Sequence, residues 1–524
     1  MVSAGAPLDS GDDETVVDFR GKPFDKSVTG GWLAAGLILE LYIYIPFRQG
    51  VILLTISTTI PSMKPPPCSE YRRLHHECVE ANGRQLAMLY VALYTIALGG
   101  GGIKANVSGF GSDQFDVRDP KEEKAMIFFF NRFYFCISLG SLSAVTFLVY
   151  VQDNVGRGWG YGTSAVTMAI AVIILLTGTP FYRYKKPKGS PLTIIWRVFY
   201  LAWRKKKLAY PDSSMLNEFQ NAKFPHTQRL RCLDKAAILD DTEGEGTVKQ
   251  NPWVVSTVTE VEEAKMVIKL IPIWSTCILF WTVYSQMTTF SVQQATAMNR
   301  NIGSFIIPSG SMSFFLFITI LIFTSLNEKL LVPFARKFTQ NVKGITSLQR
   351  IATGLIFSIA AMVAAAIVEK QRRTVAVQQH IKITVFWLVP QFFLVGAGEA
   401  FAYVGQLEFF IREAPDKMKS MSTGLFLSTL SMGFFVSSLL VSVVDKVTKN
   451  SWIRNNLNKG KLENFYWLLA VLGVLNFLVF LLFATRHQYK VEQYKTSNKG
   501  EELKEWNGGR LADNEDKENA LGVL

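Results

Sequence analysis

Catalytic side chains are what this sequence has least of. Histidine occurs five times in 524 residues, and His75, His76, His226, His380 and His487 all fall in stretches that read as loops or tail. There is no HExxH, GxSxG or phosphate-cradling P-loop sequence. Metal-dependent, serine/histidine and nucleotide-hydrolysing chemistry therefore lack residues to carry them. An enzyme and a primary pump are both excluded on this reading. Cysteine is as scarce: Cys68, Cys78, Cys136, Cys232 and Cys277 form neither a disulfide framework nor a metal cluster. Only Cys68 and Cys78 share a short loop, which one bridge would pin if that loop is extracytoplasmic. The first thirty residues lack a basic stretch followed by an apolar one. They carry Asp9, Asp12, Asp13, Glu14 and Asp18 instead, the pattern of a cytosolic tail and not of a cleaved signal.

Charge is the third scarcity. Only 19% of residues are charged, against 49% hydrophobic and 13% aromatic. Apolar segments fall at about 85–103, 127–151, 160–181, 267–290, 308–327, 348–368, 384–411, 420–443 and 463–484, with a further one between Leu33 and Ile60. Crossing a hydrocarbon layer takes about 20 apolar residues, and lipid leaves open strand edges no partner. The chain reads as an all-α polytopic membrane protein of about ten spans. Its net charge of +13 reflects Lys and Arg kept in cytoplasmic loops, not a nucleic-acid partner.

The stretch from Arg183 to Lys265, with Lys185, Lys186, Lys188 and the run Arg204-Lys205-Lys206-Lys207, belongs in the cytosol by the positive-inside rule. The implied organisation is a cytosolic tail (1–30), a first transmembrane bundle (31–182), a basic cytosolic linker (183–264), a six-helix bundle (265–486) and a cytosolic tail (487–524). The loop at 369–382, basic through Lys370, Arg372 and Arg373, falls outside and fits the rule least. Within the linker, Thr193–Lys207 reads either as an amphipathic helix on the membrane surface or as a solvated basic helix. Thr259 and Glu262 have capping-box spacing and predict the start of the next helix. Two bundles joined by a long loop suggest a secondary transporter.

Charges within the spans mark candidate pathways, because each costs several kcal/mol unless paired or hydrated. Lys104 follows the glycines Gly99 to Gly102, and Glu399 lies deep in its span. Each is either a pathway group or structural, Lys104 as an interfacial anchor and Glu399 as a carboxyl bonded between helices. Trp281, Tyr284 and Thr288 line one face of another span, with Gln286, Thr289 and Ser291 around them. That face offers hydrogen bonds to a small anion, or serves as helix glue. At "LILELYIYIPFRQG", Glu40, Pro46 and Arg48 interrupt an apolar run. Leu33 to Ile60 would make about 42 Å of helix at ~1.5 Å per residue, long for a bilayer core of about 30 Å.

"GGIKANVSGFGSDQFD" (Gly101–Asp116), "FFFNRFYFCISLGSLSAVTFLVYVQDNVGRGWGYG" (Phe128–Gly162), "HTQRLRCLDKAAIL" (His226–Leu239), "GEAFAYVGQLEFFIREAPDKMKSMSTGL" (Gly398–Leu425) and "LNKGKLENFYWLLAVLGVLNF" (Leu457–Phe477) resemble the proton-coupled peptide/nitrate transporter family, above all its plant nitrate branch. The resemblance runs from about Phe19 to Tyr489. It implies a major-facilitator fold of two helical bundles and proton-driven uptake by alternating access, with no cofactor beyond the coupling proton. The implied partners are nitrate or another small anion, the lipid bilayer and further copies of the chain in a homo-oligomer. The implied location is the plasma membrane, with the vacuolar membrane as the alternative, and low-affinity nitrate uptake is the leading activity.

Residue by residue, the resemblance makes Lys104 and Glu399 proton-coupling and gating groups. Tyr284 stands where a nitrate-carrying member has its nitrate-binding histidine, and Thr288 matches the threonine one turn later. Trp281 and Gln286 complete the substrate face. Glu40 stands for the first glutamate of an ExxER motif, but Ile43 and Tyr44 occupy the other two motif positions. By length, two helices of the family pattern are absent between Gly36 and Phe47, which gives a shortened first bundle and ten spans in place of twelve. A non-transporting isoform, or a carrier of peptides, hormones or glucosinolates, are the alternatives.

Overall fold

The computed structural model describes residues 16–18, 45–66, 79–112, 120–185, 190–210, 226–239, 253–326, 345–415, 418–454 and 456–489, with a few single positions between. Ten of its helices fall on the ten expected segments: α1 (Ile45–Thr59), α2 (Gly83–Ser112), α3 (Pro120–Ser143), α4 (Arg157–Gly178), α6 (Val258–Thr296), α7 (Phe314–Leu326), α8 (Ser347–Gln378), α9 (Val389–Glu413), α10 (Lys419–Val447) and α11 (Leu462–Arg486). α5 (Pro191–Arg204) lies in the linker. Among the described residues, eight helical stretches are long and apolar enough to cross a membrane, and Gly50–Thr59 is a shorter apolar helix. The protein is an all-α, multi-pass membrane protein. Among the described residues, strand is confined to two short antiparallel pairs, β1 (Val16–Val17) with β2 (Tyr184–Lys185) and β3 (Asn301–Ile302) with β4 (Phe305–Ile306).

The chain falls into two compact units. The first holds residues 1–187, 277–406 and 427–477, and the second holds 188–276, 407–426 and 478–524. In the first unit, α1 packs on α2 at a close approach. A Cβ at Gly50 would sit 2.6 Å from the Ile96 backbone nitrogen, so a larger residue there would force the helices apart. Pro46 falls in the first turn of α1, where its missing N–H costs nothing. Gln114, two residues beyond α2, makes an anchor to Arg183. This fully buried side chain accepts from the Arg183 backbone N–H at 2.8 Å and donates to the Arg183 carbonyl at 3.1 Å.

The core of the first unit belongs to the helices that follow the linker. Met287, Leu316, Met362, Ala365, Phe392, Val395, Phe465 and Leu469 close one cluster from α6, α7, α8, α9 and α11. Beside it lies a buried polar network. Arg372 on α8 grips Glu369 through two bonds of 2.8 Å and donates to Asn458 at 2.8 Å. Gln294 donates to Glu369 at 2.6 Å, and Tyr466 and Gln391 both bond Gln294. Arg373 pairs with Glu463. These contacts account for the basic stretch at 369–382 that fits the positive-inside rule least. The helix continues through Gln378, and its two arginines are neutralised by buried carboxylates within the protein.

In the second unit, α5 packs through Val198 and Leu201 on Leu216, Leu233, Ala236, Ala237, Val258, Val261 and Ala264. The "HTQRLRCLDKAAIL" stretch folds over the start of α6. The capping box predicted there does not form. Thr257, not Thr259, accepts from the Glu260 N–H at 3.3 Å. Glu262 is taken by a tertiary partner, accepting from the Thr227 N–H at 3.1 Å and hydroxyl at 2.8 Å.

Candidate functional site

The candidate site is built by two helices of the first unit. On α6, Trp281, Tyr284 and Thr288 are spaced i, i+3, i+7, and on α9, Glu399, Tyr403 and Gln406 are spaced i, i+4, i+7. Each set therefore forms one stripe. The stripes meet at Trp281, whose ring centre is 5.6 Å from that of Tyr284 and 6.2 Å from that of Tyr403, both edge to face. Phe280 adds a further edge contact at 5.1 Å. α10 presses on the back of this group: a Cβ at Gly433 would lie 2.3 Å from Trp281 Cβ. Glycine is the residue that lets these two helices touch.

Within that aromatic frame, polar atoms outnumber partners. Glu399 is 9% exposed, and its Oε2 has no hydrogen-bond partner among the described residues. A charge held there without a partner costs several kcal/mol. Tyr403 lies one turn further along the same stripe, and Trp281 joins it to Tyr284. Trp281 Nε1 donates to Gln406 Oε1 at 3.1 Å. An indole N–H can only donate, so this bond fixes which end of the amide faces the tryptophan. The Gln406 nitrogen then points elsewhere, buried and without a partner among the described residues.

The predicted residues are not equivalent. Tyr284 and Thr288 are half-buried on the face toward α9, although the Thr288 hydroxyl donates to its own helix at Ser285 O, 2.9 Å away. Trp281 is 1% exposed and acts through Tyr284, Tyr403 and Gln406. Gln286 is fully buried and donates to Ser437 on α10, so the structure places it between helices and not with Tyr284. Lys104 lies on α2, but its side chain, like Glu40, Cys68 and Cys78, lies outside the described residues. Tyr403 and Gln406 are additions that the sequence reading missed. Their signal was the i, i+4, i+7 spacing from Glu399 within one motif.

One group in the second unit has metal-ligand chemistry. Donor atoms of His226, Asp234 and Glu262 lie within 4.8 Å of one another. The Lys265 ammonium already occupies the position between the carboxylates, 2.6 Å from Asp234 Oδ1 and 2.8 Å from Glu262 Oε1. These residues do not fit a metal ion.

A profile of the POT family (PTR2) matches residues 42–467. The chain belongs to the POT family. Among its plant relatives, Protein NRT1/ PTR FAMILY 6.4 of Arabidopsis thaliana is 59% identical over 546 residues, covering 91% of this chain and 92% of that protein. Protein NRT1/ PTR FAMILY 6.3 of the same plant is 47% identical over 499 residues, covering 91% and 84%. The crystal structure of an auto-inhibited POT family peptide transporter superposes with a TM-score of 0.56 at 19% identity, covering 87% of this chain and 83% of that one. A POT family transporter crystallised with 5-aminolevulinic acid gives 0.52 at 12% identity, covering 87% and 84%. These two likenesses concern the fold, which is the helical major-facilitator fold of POT transporters. This POT chain is thus a multi-pass membrane transporter of the plant NRT1/PTR kind and not an enzyme, and its family carries small substrates such as peptides or ions.

Proposed function

We infer that this transporter carries a small anion, nitrate in the first instance, together with protons, by alternating access across the plasma membrane. The vacuolar membrane is the alternative site. The observation that carries this reading is the Glu399 carboxyl, buried with an oxygen that has no partner among the described residues, on the stripe of α9 that meets Trp281 and Tyr284. A carboxyl in that setting takes up and releases a proton as the cavity opens and closes, and so ties proton movement to substrate movement. Tyr284 supplies a hydroxyl donor to the anion, and Thr288 joins it by turning its single O–H away from Ser285 O. Tyr284 cannot become cationic, which favours low-affinity binding. Lys104 and Glu40 are assigned to the proton path by resemblance alone.

Uptake of labelled nitrate by oocytes in acidic against neutral medium tests the reading. Wild type should accumulate nitrate faster from acid, and Glu399→Gln should lose that stimulation at normal surface expression. Equal stimulation in both would remove Glu399 from the coupling path. A second reading is a variant that does not transport, its first bundle being shortened. The observation in its favour is that Phe135–Val155 and Arg157–Phe181 have 6% and 11% of their most apolar stretch buried. Absence of uptake of any anion or peptide by wild type present at the surface would support it.

A further inference from the structure

Among the described residues, α5 packs on the linker core by one face, and from the other face only Tyr200 reaches a ring of the protein, meeting Trp253 edge to face with ring centres 6.2 Å apart. Val198 and Leu201, fully buried, close on the linker core, and Arg197 on the same side pairs with Glu260. The other face carries Leu192, Trp196, Phe199, Tyr200 and Trp203, at 66%, 68%, 44%, 41% and 67% exposure. Their spacing of i, i+4, i+7, i+8 and i+11 makes one continuous stripe. A solvated linker helix would carry polar residues there; this one carries two indoles, two further rings and a leucine.

The surroundings of the stripe say what covers it. From Arg183 to Lys207 there are nine basic residues and no acidic one. Arg183, Arg197 and Lys205 are engaged internally, with Glu122, Glu260 and the Ile238 carbonyl. Arg204, Lys206 and Lys207 are exposed at the end of the stripe, and Lys206 Nζ stands 5.4 Å above the Trp203 ring. Tryptophan beside lysine and arginine is the composition of a membrane–water boundary, where amphipathic rings sit at headgroup depth. Protein interfaces, by contrast, are poor in lysine. The helix is also tethered at both ends to spans, since α4 ends at Gly178 and α6 begins at Val258.

We propose that this face of α5 is a docking surface for the anionic cytoplasmic leaflet of the bilayer that the chain itself spans. Trp196 and Trp203 seat among the headgroups, and Arg204, Lys206 and Lys207 engage the acidic headgroups of the lipids. The surface does not depend on which solute is carried.

The test uses the full chain in liposomes whose brominated acyl chains quench tryptophan, with the bromine carried either on phosphatidylserine or on phosphatidylcholine at equal mole fraction. Brominated phosphatidylserine should quench at least about twofold more, because cations near the surface enrich anionic lipid. The excess should fall at high salt. Trp196→Phe/Trp203→Phe should abolish it, and Arg204→Gln/Lys206→Gln/Lys207→Gln should remove the preference for serine lipid while Trp196 and Trp203 remain in place. Because Phe keeps the apolar stripe and the Gln set alters only exposed positions, both variants retain the fold. Equal quenching by the two lipids in wild type would overturn the proposal. So would an excess that survives loss of both tryptophans. Quenching that is weak with both lipids at high protein density and rises as the protein is diluted in the bilayer would overturn it too, and would assign the stripe to a second copy.

Discussion

Phe135–Val155 and Arg157–Phe181, ahead of the linker, have 6% and 11% of their most apolar stretch buried, whereas Val258–Thr296, Ser347–Gln378 and Val385–Glu413 beyond it reach 50%, 50% and 67%. All five are apolar enough to cross a bilayer, so hydropathy does not set the difference. The deeply buried helices carry polar groups that pair across helices, as Gln294 does with Glu369 and Gln391; close glycine approaches occur on both sides, at Gly354 against Ala402 and at Gly158 against Thr59. α4 presents Val166, Ile170, Ile173 and Leu176 outward instead, at 53% exposure or more. Lipid gives helices no hydrophobic reason to associate, so packing and polar pairing decide which spans hold together.

The largest effect should come from breaking the pairing on the well-packed side. Arg372→Leu leaves Glu369 fully buried without its bidentate partner, and stranding a buried charge costs about 3–5 kcal/mol. Thermal unfolding in detergent should show a loss of many degrees together with poor surface expression; a change of under a degree would sink this account of the network. Next comes Glu399→Gln. It should leave unfolding temperature nearly unchanged and abolish the acid stimulation of uptake, which separates the site from the scaffold that holds it.

A smaller effect is expected at Gln406. Gln406→Leu strands the buried Trp281 N–H, and an unsatisfied buried donor costs about 1–3 kcal/mol. The apparent substrate affinity should fall about tenfold or more, and Gln406→Glu, which restores an acceptor, should recover part of it. If concentration-dependent uptake is the same in wild type and Gln406→Leu, Trp281 does not position the substrate face. Smallest of all is Ile173→Ala on α4, at a side chain 61% exposed in the protein. A shift within about 0.5 kcal/mol is expected. A loss as large as that of Arg372→Leu would mean that α4 has a protein neighbour after all.

Much of this arrangement was legible from residues alone. The segments at 267–290, 308–327, 348–368, 384–411, 420–443 and 463–484 each lie within or closely along a helix of the protein. Hydropathy and length are properties of one segment at a time, and this is why they could be read. What could not be read depends on two segments at once. Glu262 has capping-box spacing from Thr259, but Thr227, thirty-five residues earlier, claims its carboxylate. Arg372 and Arg373 look like loop charges until Glu369 and Glu463 stand beside them. Gln286 shares a helix with Tyr284, yet Ser437 turns it to another face. At the site, Glu399 and Tyr284 were visible as unusual residues in spans. Gln406 became visible only through the one-way hydrogen bond from Trp281.

The Lys265 ammonium among Asp234, Glu262 and the Thr227 carbonyl has a consequence for the linker. It does for the "HTQRLRCLDKAAIL" fold what a bound calcium ion does for many loops, gathering oxygens from distant stretches around one positive centre. This cation, however, is covalently part of α6, so it cannot be diluted away, chelated or exchanged. The fold over the start of α6 is therefore set by the chain itself and not by the ionic composition of the compartment around it.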